Sequence, residues 1–274
     1  MRRMSLLLAV AIGACACAAG VHAARSGVPP LIFPVVGTVA YQDDFGDPRG
    51  ALRHEGNDLL ADKRAPAVAV EAGTVKYWTT SASAGCMLYL YGASGTMYEY
   101  IDLNNDLTAV NDNKGTCVKG TAYAVADGAH VDAGQQIGYV GDSGDANGIH
   151  PHLHFEVHPK GRAATDPFPF LNKAAHLLVV APPAGSTFTL KLTGTLVALD
   201  TGELTLNVQS LAAWPSHLKQ VKVNRPISLT VSDPTAVATG LLPGTKITVW
   251  TLPAPGTLDA ITGAPGALTL DKFR

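Results

Sequence analysis

Short apolar runs separated by glycine-containing turns are the feature of this sequence that most restricts its fold. Such runs stand at Ala67–Val70, Met87–Tyr91, Gln136–Val140 and Leu153–Val157. Each run is too short for an ordinary helix, and turn sequences such as Gly141–Gly144 lie between them. Between residues 35 and 172 the sequence has no stretch with the apolar spacing of a helix. The pattern predicts a mostly β structure.

The composition is that of a folded, turn-rich protein. Of its 274 residues, 47% are hydrophobic and only 15% are charged, with 28 glycines and 18 prolines. This balance excludes intrinsic disorder, since disordered chains are poor in apolar residues and rich in charge. The formal net charge of −2 provides no basic field that would attract nucleic acid, so we expect no nucleic-acid partner.

The sequence predicts two β domains. We expect residues 24–34 to be an extended lead-in, 35–176 a first domain and 177–185 a Pro- and Gly-containing linker. Residues 186–274 predict a small β-barrel-like domain, for which an OB-like barrel is one candidate fold. Its expected strands are Thr187–Leu192, Leu204–Val208, Gln220–Val223, Ile227–Val231 and Lys246–Leu252. This domain has no cluster of histidines and carboxylates, so a structural or adhesive role and ligand binding are equally open.

Residues 1–23 have the features of an export signal. Arg2 and Arg3 form a basic start, and the apolar stretch Leu6–Ile12 is too short to span a bilayer as a mature helix. Cleavage after Ala23 would give a periplasmic or secreted protein. A lipoprotein-type cleavage site before Cys15 is the alternative, and we expect membrane attachment only if Cys15 is acylated.

Cys86 and Cys117 are the two cysteines that remain after this signal. An oxidising compartment outside the cytoplasm favours a disulfide between them, and two free thiols are the alternative. The polar stretch 104–130 is expected to form a surface loop pinned at Cys117.

A pair of alternating histidines stands in the run that ends at Val157. In a strand, His152 and His154 point to one face while Leu153 and Phe155 point to the core. Two imidazoles on one face of a buried strand can reach the same site. One of them can bind a metal while the other stands beside it and handles protons.

A second segment supplies the remaining metal-binding groups. His54 and Asp58 are four residues apart, and Gly56 between them lets the backbone turn rather than continue as a helix. Two histidines and a carboxylate are a catalytic zinc set, in which three protein ligands leave a fourth position for water. Either segment alone is commonplace, so the prediction depends on the two occurring together.

The order of motifs between residues 33 and 172 resembles the lysostaphin/LytM-type peptidoglycan endopeptidases. The matching segments are Phe33–Gly37, His54–Asp58 (H-x-G-x-D), Gly134–Gly144 (GQ-x-IG-x-VG-x-SG), Pro151–Val157 (PHLHFEV) and Asp166–Pro167. The resemblance covers about half of the chain. It implies a compact, mostly antiparallel β domain with the site in a groove, one zinc ion, and short peptides of the bacterial cell wall as substrates.

The resemblance also implies residue roles. His54, Asp58 and His154 match the metal ligands, and His152 matches the catalytic histidine that does not bind the metal. Two further residues are candidates for supporting these groups from behind, namely Glu156 and His150. For Glu156, a simple solvent-facing strand position is the alternative.

One position departs from the family pattern. The family has a further catalytic histidine in a Y-x-H-L segment, whereas this chain has Asp102 within Tyr100–Leu103. An ionised carboxylate cannot donate a hydrogen bond to a developing oxyanion. Three interpretations stay open for Asp102: a general base or a partner that orients His152, a carboxyl protonated by its surroundings, or a sign of a slow or inactive enzyme.

The sequence therefore predicts an exported zinc metalloendopeptidase that hydrolyses cross-links or stem peptides of bacterial peptidoglycan. The alternative is a weak or inactive relative that binds peptidoglycan or regulates another cell-wall hydrolase. Which peptide bond is cut, the ligand of the second domain and the oligomeric state all stay open.

Overall fold

The computed structural model describes residues 27–78, 83–108, 110–215, 221–232 and 241–274. The predicted export signal, including Cys15 and Ala23, lies outside these residues. Within the described part of the chain, no helix has the length and apolar character needed to cross a membrane. The architecture is mostly β with antiparallel sheets, as predicted.

A seven-stranded antiparallel sheet forms the first region, in the order β1-β4-β11-β8-β7-β6-β9. Two small sheets, β5 with β10 and β2 with β3, complete it. The strands are β1 (Val39–Ala40), β2 (Pro48–Arg49), β3 (Leu52–Arg53), β4 (Asn57–Ala61), β5 (Pro66–Val68), β6 (Gly73–Trp78), β7 (Cys86–Gly92), β8 (Met97–Leu103), β9 (His130–Val131), β10 (Gln136–Tyr139) and β11 (His152–His158). Short 3-10 turns lie between β10 and β11 at Gly144–Ala146 and after β11 at Pro159–Gly161. The helix α1 (Phe168–Leu171) comes next.

Strand β11 lies between β4 and β8 near the middle of the first sheet. Leu153 and Phe155 point into the core, as predicted, and both are fully buried. The ring of Phe155 packs on Tyr98 and Tyr100 of β8, with centroids 6.0 and 5.3 Å apart. This apolar face fixes the rotation of β11, so its alternate residues must all point to the other face.

The predicted disulfide is present and joins Cys86 to Cys117. The 104–130 stretch is more than a surface loop, however. Its Tyr123 is fully buried and donates a hydrogen bond to the carbonyl of Met87, 3.0 Å away. At the start of the stretch, the buried Asp106 meets the ammonium group of Lys63. The loop is therefore part of the core on one side, which its polar composition concealed.

The second region is a six-stranded antiparallel sheet in the order β14-β13-β12-β15-β17, with β16 paired to β12. Its elements are β12 (Thr187–Asp200), β13 (Glu203–Trp214), β14 (Val221–Thr230), β15 (Lys246–Thr251), β16 (Ala254–Pro255), the helix α2 (Leu258–Thr262) and β17 (Leu270–Phe273). One parallel bridge, between Thr230 and Thr269, connects the two ends of the sheet. The closed barrel stays a prediction.

The two strands predicted around Val223 and Ile227 are one strand in the structure. Pro226 lies within β14, opposite Asn207 of β13. Proline lacks the N–H that a central strand needs, and it suggested a break in the sequence. Because β14 is a terminal strand of the sheet path, its backbone has one ladder partner at this position and tolerates the proline.

Residues in the expected linker pack against the second region. Leu177, Leu178 and Val179 are buried in the same apolar cluster as the inner face of the second sheet. The backbone N–H of Leu178 donates to the carbonyl of Ile261 at 2.7 Å. Val68 of β5 belongs to this cluster too, so apolar packing connects the two regions.

We predict that Lys63 is a major stabilising residue. Its ammonium group lies between Asp106 and Asp142, whose side chains are 0% and 1% exposed. Lys63→Met would leave two buried carboxylates without a counter-charge, a loss of about 3–5 kcal/mol in the free energy of unfolding. Urea denaturation under oxidising conditions measures this.

The matched control is Lys76→Met. Lys76 pairs with Asp127 on the surface, where both side chains are well exposed. An exposed pair contributes about 0–1 kcal/mol, so the control should unfold close to the parent protein. If both variants lowered the free energy of unfolding by equal, small amounts, the ion pairs of Lys63 would not be a major source of stability.

Candidate metal centre and catalytic site

Three predicted ligand atoms converge on one point at the surface of the first sheet. His54 precedes β4, Asp58 lies on β4, and His154 lies opposite Asp58 on β11. His54 Nε2 is 3.0 Å from His154 Nδ1, and each of these nitrogens is 3.1 Å from Asp58 Oδ1. Cross-strand neighbours on one face approach this closely because the register of β4 and β11 pairs them directly.

The far sides of both imidazoles are tied to acceptors. His54 Nδ1 is 2.8 Å from the carbonyl oxygen of Asp44, and His154 Nε2 is 2.9 Å from Glu156 Oε1. A neutral imidazole has one N–H, which these acceptors bind, so its other nitrogen carries a lone pair. Two lone pairs and a carboxylate oxygen therefore face one another about 3 Å apart, an arrangement that is repulsive unless a positive charge lies among them.

Electrostatics favour a positive charge at this point. Burial lowers the pKa of His154, but hydrogen bonds to Asp58 and Glu156 outweigh it and raise the pKa to about 10. For Asp58 the directions are reversed: burial raises its pKa, but hydrogen bonds from His154 and His54 hold the pKa well below its usual range. A proton or a metal ion can supply the required charge. The guanidinium of Arg49, half exposed, also bonds Asp58 Oδ2 at 2.5 Å from outside.

The donor set fits a small divalent ion. Ligands at about 2.0–2.2 Å from a tetrahedral zinc lie roughly 3.3–3.6 Å from each other, so a few tenths of an ångström of opening would suffice. Nitrogen and carboxylate donors are those that zinc prefers. The backbone is tightly fitted behind them, because a Cβ on Gly56 would lie 2.7 Å from His154 Nε2 and 2.6 Å from the carbonyl oxygen of Phe155. This close approach explains a glycine between His54 and Asp58.

A buried chain of hydrogen bonds continues behind His154. Glu156 bonds His154 through one oxygen and His158 Nε2 through the other, at 2.9 and 2.6 Å. His158 Nδ1 lies 2.8 Å from the carbonyl of Arg162, and Glu99 Oε1 is 3.3 Å from His158 Nε2. Glu156 is thus a buried partner of a ligand histidine, and its solvent-facing alternative does not apply.

The charges along this chain of hydrogen bonds keep Glu156 ionised. Burial raises the pKa of Glu156, but its hydrogen bonds to His154 and His158 lower it to about 2. Glu99 is affected in the opposite sense: burial and then the charge of Glu156 raise its pKa to about 7. The oxygens of Glu99 and Glu156 and a ring nitrogen of His158 lie close enough together to form a second group that could hold a cation.

Asp102 contacts His152 beside the three ligand atoms. Asp102 Oδ2 is 3.2 Å from His152 Nε2, and both residues are buried. His152 Nδ1 is 3.0 Å from the carbonyl oxygen of His150, which fixes the N–H at Nδ1. His152 Nε2 is therefore the nitrogen that exchanges protons, and it also faces Asp58 Oδ1 at 3.8 Å.

The backbone at Asp102 explains how its side chain reaches this site. Ile101 is paired with His154, so strict alternation would turn Asp102 to the opposite face of β8. Asp102 instead has a φ of 62°, in the left-handed region, where aspartate is one of the few tolerated residues besides glycine. This break in alternation could not be read from the sequence.

Asp102 and His152 influence each other's protonation. Burial raises the pKa of Asp102, against the hydrogen bond and charge of His152. Burial lowers the pKa of His152, but the hydrogen bond to Asp102 outweighs it and raises the pKa. Among the described residues, the other oxygen of Asp102 has no hydrogen-bond partner. The geometry favours the interpretation in which Asp102 orients His152.

The remaining histidines have other positions. The side chain of His150 is exposed, and its carbonyl is the group that contacts His152. His130 is exposed on β9 and contacts Thr74 and the carbonyl of Gly73. The contact of the Asp44 carbonyl with His54 was not predicted, because the sequence has no signal for it. The role of His158 as a partner of Glu156 was not predicted either, although residues 152, 154, 156 and 158 alternate onto one strand face and could have indicated it.

Part of this chain is similar to a known protein family. Residues 52–167 match the sequence model of "Peptidase family M23". The comparison with curated proteins gave no match.

Three solved structures illustrate the similarity. The catalytic domain of the antimicrobial peptidase lysostaphin from Staphylococcus simulans is 25% identical over 49% of this chain and 92% of its own, with a TM-score of 0.38. A zinc-containing peptidase from Vibrio cholerae is 22% identical over 50% of this chain and 39% of its own, with a TM-score of 0.38. The catalytic domain of the prophage-encoded M23 protein EnpA from Enterococcus faecalis, as an A109H mutant, is 21% identical over 47% of this chain and 89% of its own, with a TM-score of 0.36.

We predict that His158 increases metal affinity without touching the metal. His158→Gln removes the imidazole that holds Glu156 against His154, so the ligand ring loses part of its orientation. Partners of this kind typically contribute about 10–100-fold to metal affinity. Competition for zinc with a chromophoric chelator measures the change, and His130→Gln is the control because His130 is exposed and bonded elsewhere. Equal affinities for the two variants would contradict this role.

Proposed function

We propose that this chain, whose residues 52–167 match the sequence model of peptidase family M23, is an exported zinc metalloendopeptidase that hydrolyses peptide bonds of bacterial peptidoglycan. One observation carries the proposal: two imidazole lone pairs and a carboxylate oxygen converge within 3.1 Å beside a buried His–Asp pair. Family M23 is zinc-dependent, which supports zinc as the ion. When bound, zinc supplies polarisation of the substrate carbonyl and makes water more acidic.

The protein's own residues divide the work. His54, Asp58 and His154 would hold the ion, while the Asp44 carbonyl and Glu156 keep the two rings turned toward it. Peptide hydrolysis adds water to the carbonyl carbon, breaks the C–N bond and requires a proton on the departing nitrogen. His152 Nε2 accepts the proton that the water gives up and returns it to the amine. Asp102 stabilises the protonated imidazole between the two transfers.

The sequence resemblance supports cell-wall peptides as substrates, and the export signal predicted in residues 1–23 supports a location outside the cytoplasm. An oxidising compartment also suits the Cys86–Cys117 disulfide. Attachment to a membrane would require acylation at Cys15.

A non-catalytic protein that binds peptidoglycan or regulates another hydrolase is the second candidate. The observation that favours it is Asp102, which stands where the family has a histidine. The contact between Asp102 and His152 supports the enzyme instead, because a carboxylate there assists the imidazole.

We predict that His152→Gln and His154→Gln separate catalysis from metal binding. The protein without residues 1–23 is incubated with zinc and purified peptidoglycan, and new amino groups and bound zinc are both measured. His152→Gln should keep its zinc but lose about 10²–10⁴-fold of the rate, the usual contribution of general acid–base catalysis. His154→Gln should lose zinc as well. Full activity of His152→Gln would overturn the assignment, and an inactive parent protein would favour the second candidate.

We predict a pH shift for Asp102→Asn. The charge of Asp102 raises the pKa of His152, and His152 must be neutral to accept a proton. Without that charge the pKa of His152 falls, so the acidic limb of kcat/KM should move to lower pH while the maximal rate decreases. The profile is recorded on a soluble cell-wall peptide. A limb at unchanged or higher pH would show that Asp102 does not act on His152.

A further inference from the structure

The outer face of the second sheet carries a compact group of aromatic, hydroxyl and cationic side chains. Lys191 on β12 lies opposite Ala212 of β13 and Trp250 of β15, and Trp250 lies opposite Lys272 of β17. One row thus crosses four strands. In the next row, Thr193 stands between Ser210 and Thr248. We call these residues, together with Trp214 at the end of β13, the Trp–Lys face.

The opposite sides of the same strands are apolar and buried. Leu190, Leu192 and Val249 are fully covered in the core of this region. The alternation therefore forces the Trp–Lys face toward solvent, and core packing does not explain its tryptophans. Trp214 is 51% exposed at the end of its strand. Exposed aromatic rings beside polar groups are a usual feature of binding surfaces.

The charge on this face is one-sided. The ammonium groups of Lys191 and Lys272 lie 5.6 and 5.7 Å from the ring centre of Trp250, so they flank this indole. Neither lysine forms a salt bridge with a carboxylate of the described residues. Lys246, which follows the same alternation on β15, adds a third cation opposite Thr195. Such a surface complements a ligand with carboxylates.

A shallow pocket opens beside Trp214. Its volume is about 220 Å³, and it is lined by Lys191, Thr193, Ser210, Leu211, Ala212 and Trp214. Ala212 is the small residue of the first row, and it leaves room beside Lys191 and Trp214. The pocket has a mostly apolar lining with an aromatic wall, and Lys191 brings an ammonium group to it. An aromatic wall and a cation suit the apolar face and an acidic substituent of a sugar ring.

We propose that the Trp–Lys face binds the glycan strands of peptidoglycan, whose sugars carry acidic peptide substituents. This inference rests on the proposed function, since it takes the same polymer as the ligand of both regions. A sugar ring packs on Trp214 in the pocket, and the carboxylates of the stem peptides meet Lys191 and Lys272. The face would hold the polymer while the metal centre acts on its peptides. Single-stranded nucleic acid is disfavoured because the chain has a net charge of −2 and no wider basic field.

Co-sedimentation with insoluble peptidoglycan tests the proposal. All proteins lack residues 1–23 and carry His152→Gln, so that binding is measured without cleavage. Trp214→Ala and the pair Lys191→Ala/Lys272→Ala should each weaken binding about fivefold to tenfold, as expected for central contact residues. Lysine loss should also reduce the sensitivity of binding to salt.

Matched controls lie elsewhere on the surface. Leu258→Ala removes an exposed apolar side chain from α2, and Lys119→Ala/Lys173→Ala removes two exposed cations from the first region. These variants should bind like the parent, and thermal unfolding should confirm that all variants are folded. Unchanged binding by Trp214→Ala and by the lysine pair would overturn the proposal and leave the proposed function intact.

A single-stranded DNA oligonucleotide is the competing ligand. Binding of the oligonucleotide that depends on Trp214 and Lys191, with no such dependence for peptidoglycan, would overturn the proposal in favour of a nucleic-acid surface. Cleavage is followed separately in proteins with His152 intact, on a soluble stem peptide without glycan. Trp214→Ala should cleave this peptide at the parental rate. Loss of cleavage there would count against the proposal, because the face would then act on the catalytic site rather than on the glycan.

Discussion

The pairing of β11 with β4 and β8 is the constraint on which the rest of the site depends. Buried Leu153 and Phe155 lock one face of β11 into the core, so His152, His154, Glu156 and His158 must share the other. The register then sets His154 against Asp58. A shift of β11 by one residue would exchange its two faces and remove all of its side chains from the site at once. Core packing and the geometry of the candidate metal centre therefore both depend on the register of this strand.

A concentration of negative charge and lone pairs follows from that pairing. Asp58, Glu156, Glu99 and Asp102 all lie near the histidines of β11, and burial makes each ionised carboxylate costly unless a cation or proton is close. The three candidate ligand atoms favour a cation between them, Glu156 bonds both His154 and His158 behind them, and Asp102 lies against His152. Each carboxylate has at least one histidine partner, so one narrow strand face brings together groups suited to metal binding and proton transfer.

Much of this was predictable from the sequence, for local physical reasons. Alternation alone put His152 and His154 on one face, and short apolar runs gave the β class. The ordered motifs suggested that His54 and Asp58 join them. Interactions over long sequence distances were not predictable: the core side of the 104–130 stretch, the ion pairs of Lys63 and the carbonyl of Asp44 have no local signature. The left-handed backbone at Asp102 depends on tertiary contacts, which the sequence does not show. Pro226 suggested a break between two strands, because the sequence does not show that its strand lies at the end of the sheet path.

The most direct test of this account is where a metal binds. Crystals grown with zinc, measured on both sides of the zinc absorption edge, give the ion's position from anomalous differences. We expect one strong peak among His54 Nε2, Asp58 Oδ1 and His154 Nδ1, with His152 and Asp102 beside it but not bound to it. A peak among Glu99, Glu156 and His158 instead, or no peak with zinc in excess, would contradict the central claim that the register of β11 builds a catalytic metal centre.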